Sequence, residues 1–163
     1  MENGRIQIYT GNGKGKTTAA LGLCFRALGH SLSVSVLQFR KNKSCGEHAE
    51  AVKVGLTIIQ CPSGRMGEIC AGPCPLIIEA RRLLTAGSDL LVLDEIMAAI
   101  VHGCVSVDEV LMLLDEAPDS TEIVLTGRDA PRELIERADL VTNMKSVKHY
   151  FSQGLLAREG IEY

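Results

Sequence analysis

Tryptophan is absent from this 163-residue chain, and three Phe and three Tyr leave the aromatic share at 4%. The core must therefore be built from Leu, Ile, Val, Ala and Met. No apolar run approaches the roughly 18 residues that a membrane-spanning helix needs, and the amino terminus lacks the charged-then-apolar pattern of a secretory signal. A soluble, cytoplasmic protein with no membrane partner is expected. Basic clusters are also scarce. Net charge is -3, and Arg40-Lys41-Asn42-Lys43 is the one basic block, too short for the basic face that nucleic acid demands. It reads as a solvated loop or as help for an anionic ligand. A disulfide framework is not expected from Cys24, Cys45, Cys61, Cys70, Cys74 and Cys104, because a cytoplasmic setting keeps thiols reduced. With 46% hydrophobic and 23% charged residues, the chain should form a single globular domain spanning residues 1–163.

What the chain does contain is a regular alternation of short apolar runs and helical patterns. Strands are expected at Arg5–Thr10, Ser33–Phe39, Thr57–Cys61, Asp89–Asp94, Glu122–Thr126 and Leu140–Met144. Helices are expected at Thr17–Leu28, stopped by Gly29, then weakly at Glu47–Lys53, and at Leu76–Thr85, Glu95–His102, Val107–Glu116 and Pro131–Arg137. Ser106 is placed to cap the fifth of these, and Pro131 to open the sixth. Cys61–Pro75, with three glycines and three prolines, reads as a long loop. Six β-runs joined by helical crossovers imply an α/β fold, a mainly parallel sheet with helices on both faces. Ligands of such sheets bind beyond the carboxyl ends of the strands.

One motif lies at such an end. Gly11-Asn12-Gly13-Lys14-Gly15-Lys16-Thr17-Thr18 follows the first strand and opens the first helix. Loop N–H groups can cradle phosphate oxygens, Lys16 adds a mobile positive charge, and the Thr17 hydroxyl can ligate magnesium. Only three residues separate Gly11 from Gly15, where the usual P-loop has four, so the phosphates are expected to nest differently. A second feature is Leu90-Leu91-Val92-Leu93-Asp94-Glu95, an apolar strand ending in two carboxylates suited to holding magnesium beside the loop. Taken alone, the pair also fits acidic residues in a helix's first turn. Thr126-Gly127-Arg128 brings a guanidinium fork to the same sheet edge, unless Arg128 pairs with Asp129 or Glu133. Arg26, late in the first helix, is a candidate nucleotide contact or a solvated residue.

These segments together with Arg26-Ala27-Leu28-Gly29-His30, Gln38-Phe39, Ala138-Asp139-Leu140-Val141, Val147-Lys148-His149 and the ending Gly160-Ile161-Glu162-Tyr163 resemble the ATP:cob(I)alamin (corrinoid) adenosyltransferases of the P-loop type. The resemblance runs in order along nearly the whole chain. It implies a P-loop NTPase-like fold and a reaction in which Co(I) of a reduced corrinoid attacks the 5′ carbon of ATP and triphosphate leaves. It also implies a nucleotide bound in reversed orientation, with the glycine loop on its terminal phosphates. By the same pattern Lys16, Arg128 and Glu95 are the expected catalytic residues. Residues Gly11, Asn12, Gly13, Lys14, Gly15, Lys16, Thr17, Thr18, Arg26 and Arg128 would hold the nucleotide, and Thr17, Asp94 and Glu95 would hold Mg2+ or Mn2+. Glu47 matches the family's Gly-Glu. A homodimer and a reduced flavoprotein as electron donor are further implications.

The chain departs from the family in one loop. Members usually carry a Gly-Phe-Thr-Trp-like stretch whose aromatics pack by the corrin. Here the sequence reads Cys61-Pro62-Ser63-Gly64-Arg65-Met66-Gly67, and Met66 or Arg65 could supply only part of that contact. Longer members also carry an N-terminal extension over the site, so a more open pocket is expected. Alternatives follow from the departure: a divergent member that binds ATP with another acceptor or a regulatory role, or a small P-loop ATPase or phosphotransferase. Cys70 and Cys74 with Cys61 or Cys45 are weak as a metal set, and buried thiols are the simpler reading. His149 could line the site.

Overall fold

A computed structural model describes residues 3–42, 44–61 and 72–162. The departing loop at 62–67, Cys70 and Lys43 lie outside the described residues. Six strands form one sheet: β1 (Ile6–Thr10), β2 (Val34–Gln38), β3 (Thr57–Gln60), β4 (Leu90–Asp94), β5 (Glu122–Thr126) and β6 (Leu140–Asn143). Their order is β3-β2-β4-β5-β1-β6. Every pairing is parallel, as helical crossovers require. The helices are α1 (Lys16–Leu28), α2 (Gly46–Val54), α3 (Pro75–Thr85), α4 (Ile96–Val101), α5 (Val107–Glu116) and α6 (Arg132–Arg137). All six expected strands and six expected helices form, with no end shifted by more than one residue. Pro131 stands just before α6 rather than inside it. Ser106 caps α5: its side chain accepts from the Glu109 N–H, and Glu109 reaches back to the Ser106 N–H at 2.8 Å. A short 3-10 turn, Tyr150–Gln153, has no counterpart among the expected elements.

Two apolar clusters cover the two faces of the sheet. Leu91, Leu93, Ile123, Leu125, Ile6, Ile8 and Leu37 pack with the helices that follow β3. Leu90, Val92, Val124, Val34 and Val36 pack against Ala20, Cys24 and Ala27 of α1. Successive strand residues point to opposite faces, which makes the next step predictable. Gln38, Asp94 and Thr126 continue the rows of Val36, Val92 and Val124, so all three emerge on the α1 side at the carboxyl ends of their strands. There the row turns polar, beside the start of α1. Burial pushes the Cys24 thiol beneath α1 up to about 12, which suits a packing residue and not a nucleophile.

Candidate functional site

β4, β5 and β1 are neighbours in the sheet, so the segments that leave their carboxyl ends converge. The loop after β1 is held close to the end of β6. Gly11 has φ 102, and a Cβ there would come within 2.4 Å of Asn143 Oδ1. At Gly13 a Cβ would approach the Met144 carbonyl to 2.7 Å, and the Gly13 N–H donates to that same carbonyl at 2.7 Å. Only glycine tolerates this conformation and this approach. Asn12 adds a third tie, its Oδ1 accepting from the Ser146 N–H at 3.0 Å. The shortened loop is thus braced against the segment that follows β6.

Lys16 is 7% exposed and curls under the loop, donating to the Gly11 and Gly13 carbonyls at 2.8 and 2.9 Å. Burial holds its pKa below that of an ordinary lysine. The charge of Glu95 opposes that shift, and Arg128 adds to it. Two of its three donors are spent on the loop itself, which fixes the ammonium at the base of the cradle.

The two carboxylates of the β4 end lie in different surroundings. Asp94 is 0% exposed. Its Oδ1 accepts from the Thr17 and Thr126 hydroxyls at 2.8 and 2.7 Å, and its Oδ2 from Lys41 Nζ at 2.8 Å and Gln38 Nε2 at 3.4 Å. Such a saturated acceptor is scaffolding for the groups around it. Burial works against the Lys41 ammonium, but the charge of Asp94 and its hydrogen bond prevail and raise the Lys41 pKa. Glu95 leaves the strand in the left-handed region, φ 60, as the residue capping α4, a conformation that costs a non-glycine residue about 1–2 kcal/mol. The turn breaks the strand's alternation and sends Glu95 to the cavity wall. Its backbone N–H donates to Thr126 Oγ1 at 2.9 Å. Burial, then the charge of Asp94, pushes the Glu95 carboxyl above its usual pKa, partly offset by Lys41, Lys16 and Arg128.

A cavity of about 350 Å³ is lined by residues 12–18 together with Glu95, Arg128, His149, Ile161 and Glu162. A second, of about 330 Å³, shares Thr17, Thr18, Ile161 and Glu162 with the first and extends to Lys41, Gly46 and Glu47. Asn12, Gly13, Lys14, Gly15, Lys16, Thr17, Thr18, Arg128 and Glu95 therefore surround one space. Gly11 lies just beneath, through its carbonyl to Lys16, and Asp94 beneath through Thr17. Arg26 is not brought there. Ten residues along α1, about 15 Å at the helical rise, it lines a separate small apolar cavity with His30, Leu90 and Glu122.

A hard-cation fit follows from the donor set. The Thr17 hydroxyl and the Glu95 carboxylate are oxygen ligands of the kind magnesium takes, and a carboxyl stressed by burial and a like charge gains from a cation. Asp94, with its acceptors filled, suits the role of orienting Thr17. Sequence reasoning passed over four contributors. Lys41 read as part of a solvated loop or as help for an anionic ligand, not as a partner of Asp94. Gln38 was noted only as part of a matching motif, and His48 and Gln60 carried no signal. His48 Nδ1 accepts from the Cys45 N–H at 2.9 Å, so its Nε2 carries the proton and donates to Gln38 Oε1 at 2.9 Å. Gln60 Nε2 donates to the same oxygen at 3.1 Å. Cys45, Glu47 and His48 place sulfur, oxygen and nitrogen within 4.8 Å of one another. Both ring nitrogens of His48 are already engaged, which makes it a brace in the Gln38–Asp94 network.

The model of the family described as ATP:corrinoid adenosyltransferase BtuR/CobO/CobP matches residues 2–163. The chain belongs to this family. A corrinoid adenosyltransferase of Pseudomonas aeruginosa is 37% identical over 172 residues, covering 99% of this chain and 85% of that protein. One of Escherichia coli K12 is 35% identical over 170 residues, covering 99% and 87%. Among solved structures, the flagellar accessory protein FlaH of Methanocaldococcus jannaschii matches with a TM-score of 0.67 at 15% identity, covering 88% of this chain and 72% of that one. That likeness shows the α/β fold alone. Among the described residues, no helix is long and apolar enough to cross a membrane.

Proposed function

We propose that the protein transfers the 5′-deoxyadenosyl group of ATP to the Co(I) centre of a reduced corrinoid and releases triphosphate. The carrying observation is the shortened, braced glycine loop opening on a cavity that shares Thr17 and Thr18 with a second one of similar size. A triphosphate gripped by the loop at its terminal end would leave the ribose directed toward that second space. The acceptor would enter there, between Lys41, Glu47 and the carboxyl-terminal residues. Co(I) supplies the electron pair for the new cobalt–carbon bond. The C5′–O bond breaks, and its electrons leave with the triphosphate.

No protein base is needed for such a strong nucleophile. The work of the chain is alignment and stabilisation of the charge growing on the leaving group. Loop N–H groups, Lys16 and Arg128 face that charge. Thr17 and Glu95 would hold magnesium, whose chemistry here is to neutralise phosphate oxygens. Asp94 keeps the Thr17 hydroxyl oriented. Family membership also supports a homodimer, a reduced flavoprotein as electron donor and cytoplasmic action.

An anaerobic assay with Co(I) cobalamin, ATP and magnesium tests this reading. The cobalt–carbon product, followed by its visible spectrum, should appear in equal amount with intact triphosphate. Release of phosphate or diphosphate, with an unchanged cobalt spectrum, would mark an ATPase or phosphotransferase instead.

A further inference from the structure

Lys14 stands fourth in the glycine loop, where a phosphate contact is the simplest expectation, yet its three N–H donors all go elsewhere. They reach Glu162 Oε1 at 2.7 Å, the Ile161 carbonyl at 2.9 Å and the Tyr150 hydroxyl at 3.1 Å. An ammonium has three donors and no more. Glu162 is a hub of its own. It also accepts from the Arg158 N–H at 2.7 Å, from the Arg158 guanidinium at 3.3 Å and from the Tyr150 hydroxyl. The Arg158 guanidinium stacks 5.0 Å from the Tyr150 ring centre. With Asn12 on Ser146 and Gly13 on Met144, every residue between Gly11 and Gly15 is tied to the chain after β6. The part of that chain held by Lys14, Ile161 and Glu162, is the wall shared by both cavities.

We propose that Lys14 is a positioning residue and not a phosphate ligand: it fastens the carboxyl-terminal segment 158–162 to the glycine loop, and that segment sets how the nucleoside lies between the triphosphate and its acceptor. The inference rests on the adenosyl-transfer reading for its catalytic consequence, but the tether itself does not depend on it. Hydrogen bonding to Glu162, then to Tyr150, raises the Lys14 pKa. Bonds from Arg158, then Lys14 and Tyr150, lower that of Glu162. Both partners are therefore charged at neutral pH. Neutralised by Glu162, Lys14 adds little net charge to the cradle.

A double-mutant cycle on the full chain tests the proposal. Lys14→Met and Glu162→Gln should each speed hydrogen exchange of the 158–162 amides about tenfold, and the double variant should be no faster than either. Adenosyl transfer should fall in kcat by about tenfold in each single variant and by about the same factor, not a hundredfold, in the double. Inorganic triphosphate should bind the double variant within about threefold of the parent, since a neutral pair has been removed neutrally. Unchanged exchange in the single variants overturns the tether whatever reaction the enzyme performs. Multiplying losses in kcat, or a triphosphate affinity lost about tenfold or more in the double variant, makes Lys14 a phosphate ligand and overturns the proposal. Failure of corrinoid turnover in the parent, with the exchange results intact, would count against the adenosyl reading alone.

Discussion

Two carboxylates hold the glycine loop and the first turn of α1 that follows it, one fully buried and one partly exposed. Asp94 is fully buried at the end of β4 and holds Thr17, Thr126, Lys41 and Gln38. Glu162 lies near the carboxyl terminus, its side chain still 17% exposed, and holds Lys14, Tyr150 and Arg158. Each is a hub of several hydrogen bonds. Burial makes the first lasting, because releasing Lys41 leaves an unpaired carboxylate in low dielectric. The second is more exchangeable, because its partners Lys14 and Arg158 are 40% and 47% exposed and water and ions can compete for them. The floor of the site is thus built to stay, while the wall can give way without unfolding anything.

Breaking the loop itself should have the largest effect. Lys16→Ala should lower kcat/KM by about 10²–10³, the loss expected for one preorganised donor at developing charge, with the melting temperature little changed. Steady-state kinetics beside a thermal melt reads both quantities.

Next in size is Asp94→Asn. It strands Lys41 and turns an amide toward donors, and should destabilise the fold by roughly 2–3 kcal/mol. That is below the 3–5 of a fully buried pair, since Lys41 remains 30% exposed. A urea titration measures it. The matching change on the other hub, Glu162→Gln, should leave the urea midpoint where it was, and equal shifts would erase the distinction between the hubs.

Glu95→Gln should separate stability from function. The folded-state pKa of Glu95 lies above its unfolded value, so the folded chain binds the proton more tightly. Stability from this residue therefore falls as pH rises through the interval between the two values. Removing the charge should raise the melting temperature of the ligand-free protein at pH 7 by roughly 2–4 °C. The gain should vanish below about pH 4, where the parent is also protonated. Magnesium-dependent nucleotide binding should be lost in the same variant.

The smallest effect sharpens the comparison most. Raising ionic strength from about 0.05 to 0.5 M should speed hydrogen exchange at 158–162 about two- to threefold and leave the β4 amides untouched.

Much of this site could be read in advance, and the reasons are local. Short apolar runs, alternating at β1 and continuous at β4 and β5, located the strands. The glycine loop, Glu95 and Arg128 announced themselves because each follows such a run directly. Asp94 and Glu95 were both taken as metal ligands. Their different surroundings depend on the left-handed turn at Glu95, which neighbouring residue types do not reveal. Lys41 and His48 were missed because they act across strands on Gln38 and Asp94, a relation that only the β2–β4 register creates. The 3-10 turn at Tyr150–Gln153 has too few residues to show a period. The Gly-Ile-Glu-Tyr ending was visible as a motif, but its bond to Lys14 joins positions 148 residues apart.

The central claim is that a loop one residue short seats the far end of ATP and leaves C5′ open to a metal-centred attacker. A crystal structure of the protein with magnesium and ATP tests it most directly. The account predicts the terminal phosphate within residues 11–17 and C5′ facing the space beside Lys41 and Glu47. A nucleotide lying in the common P-loop direction, its ribose turned away from that second cavity, would contradict it.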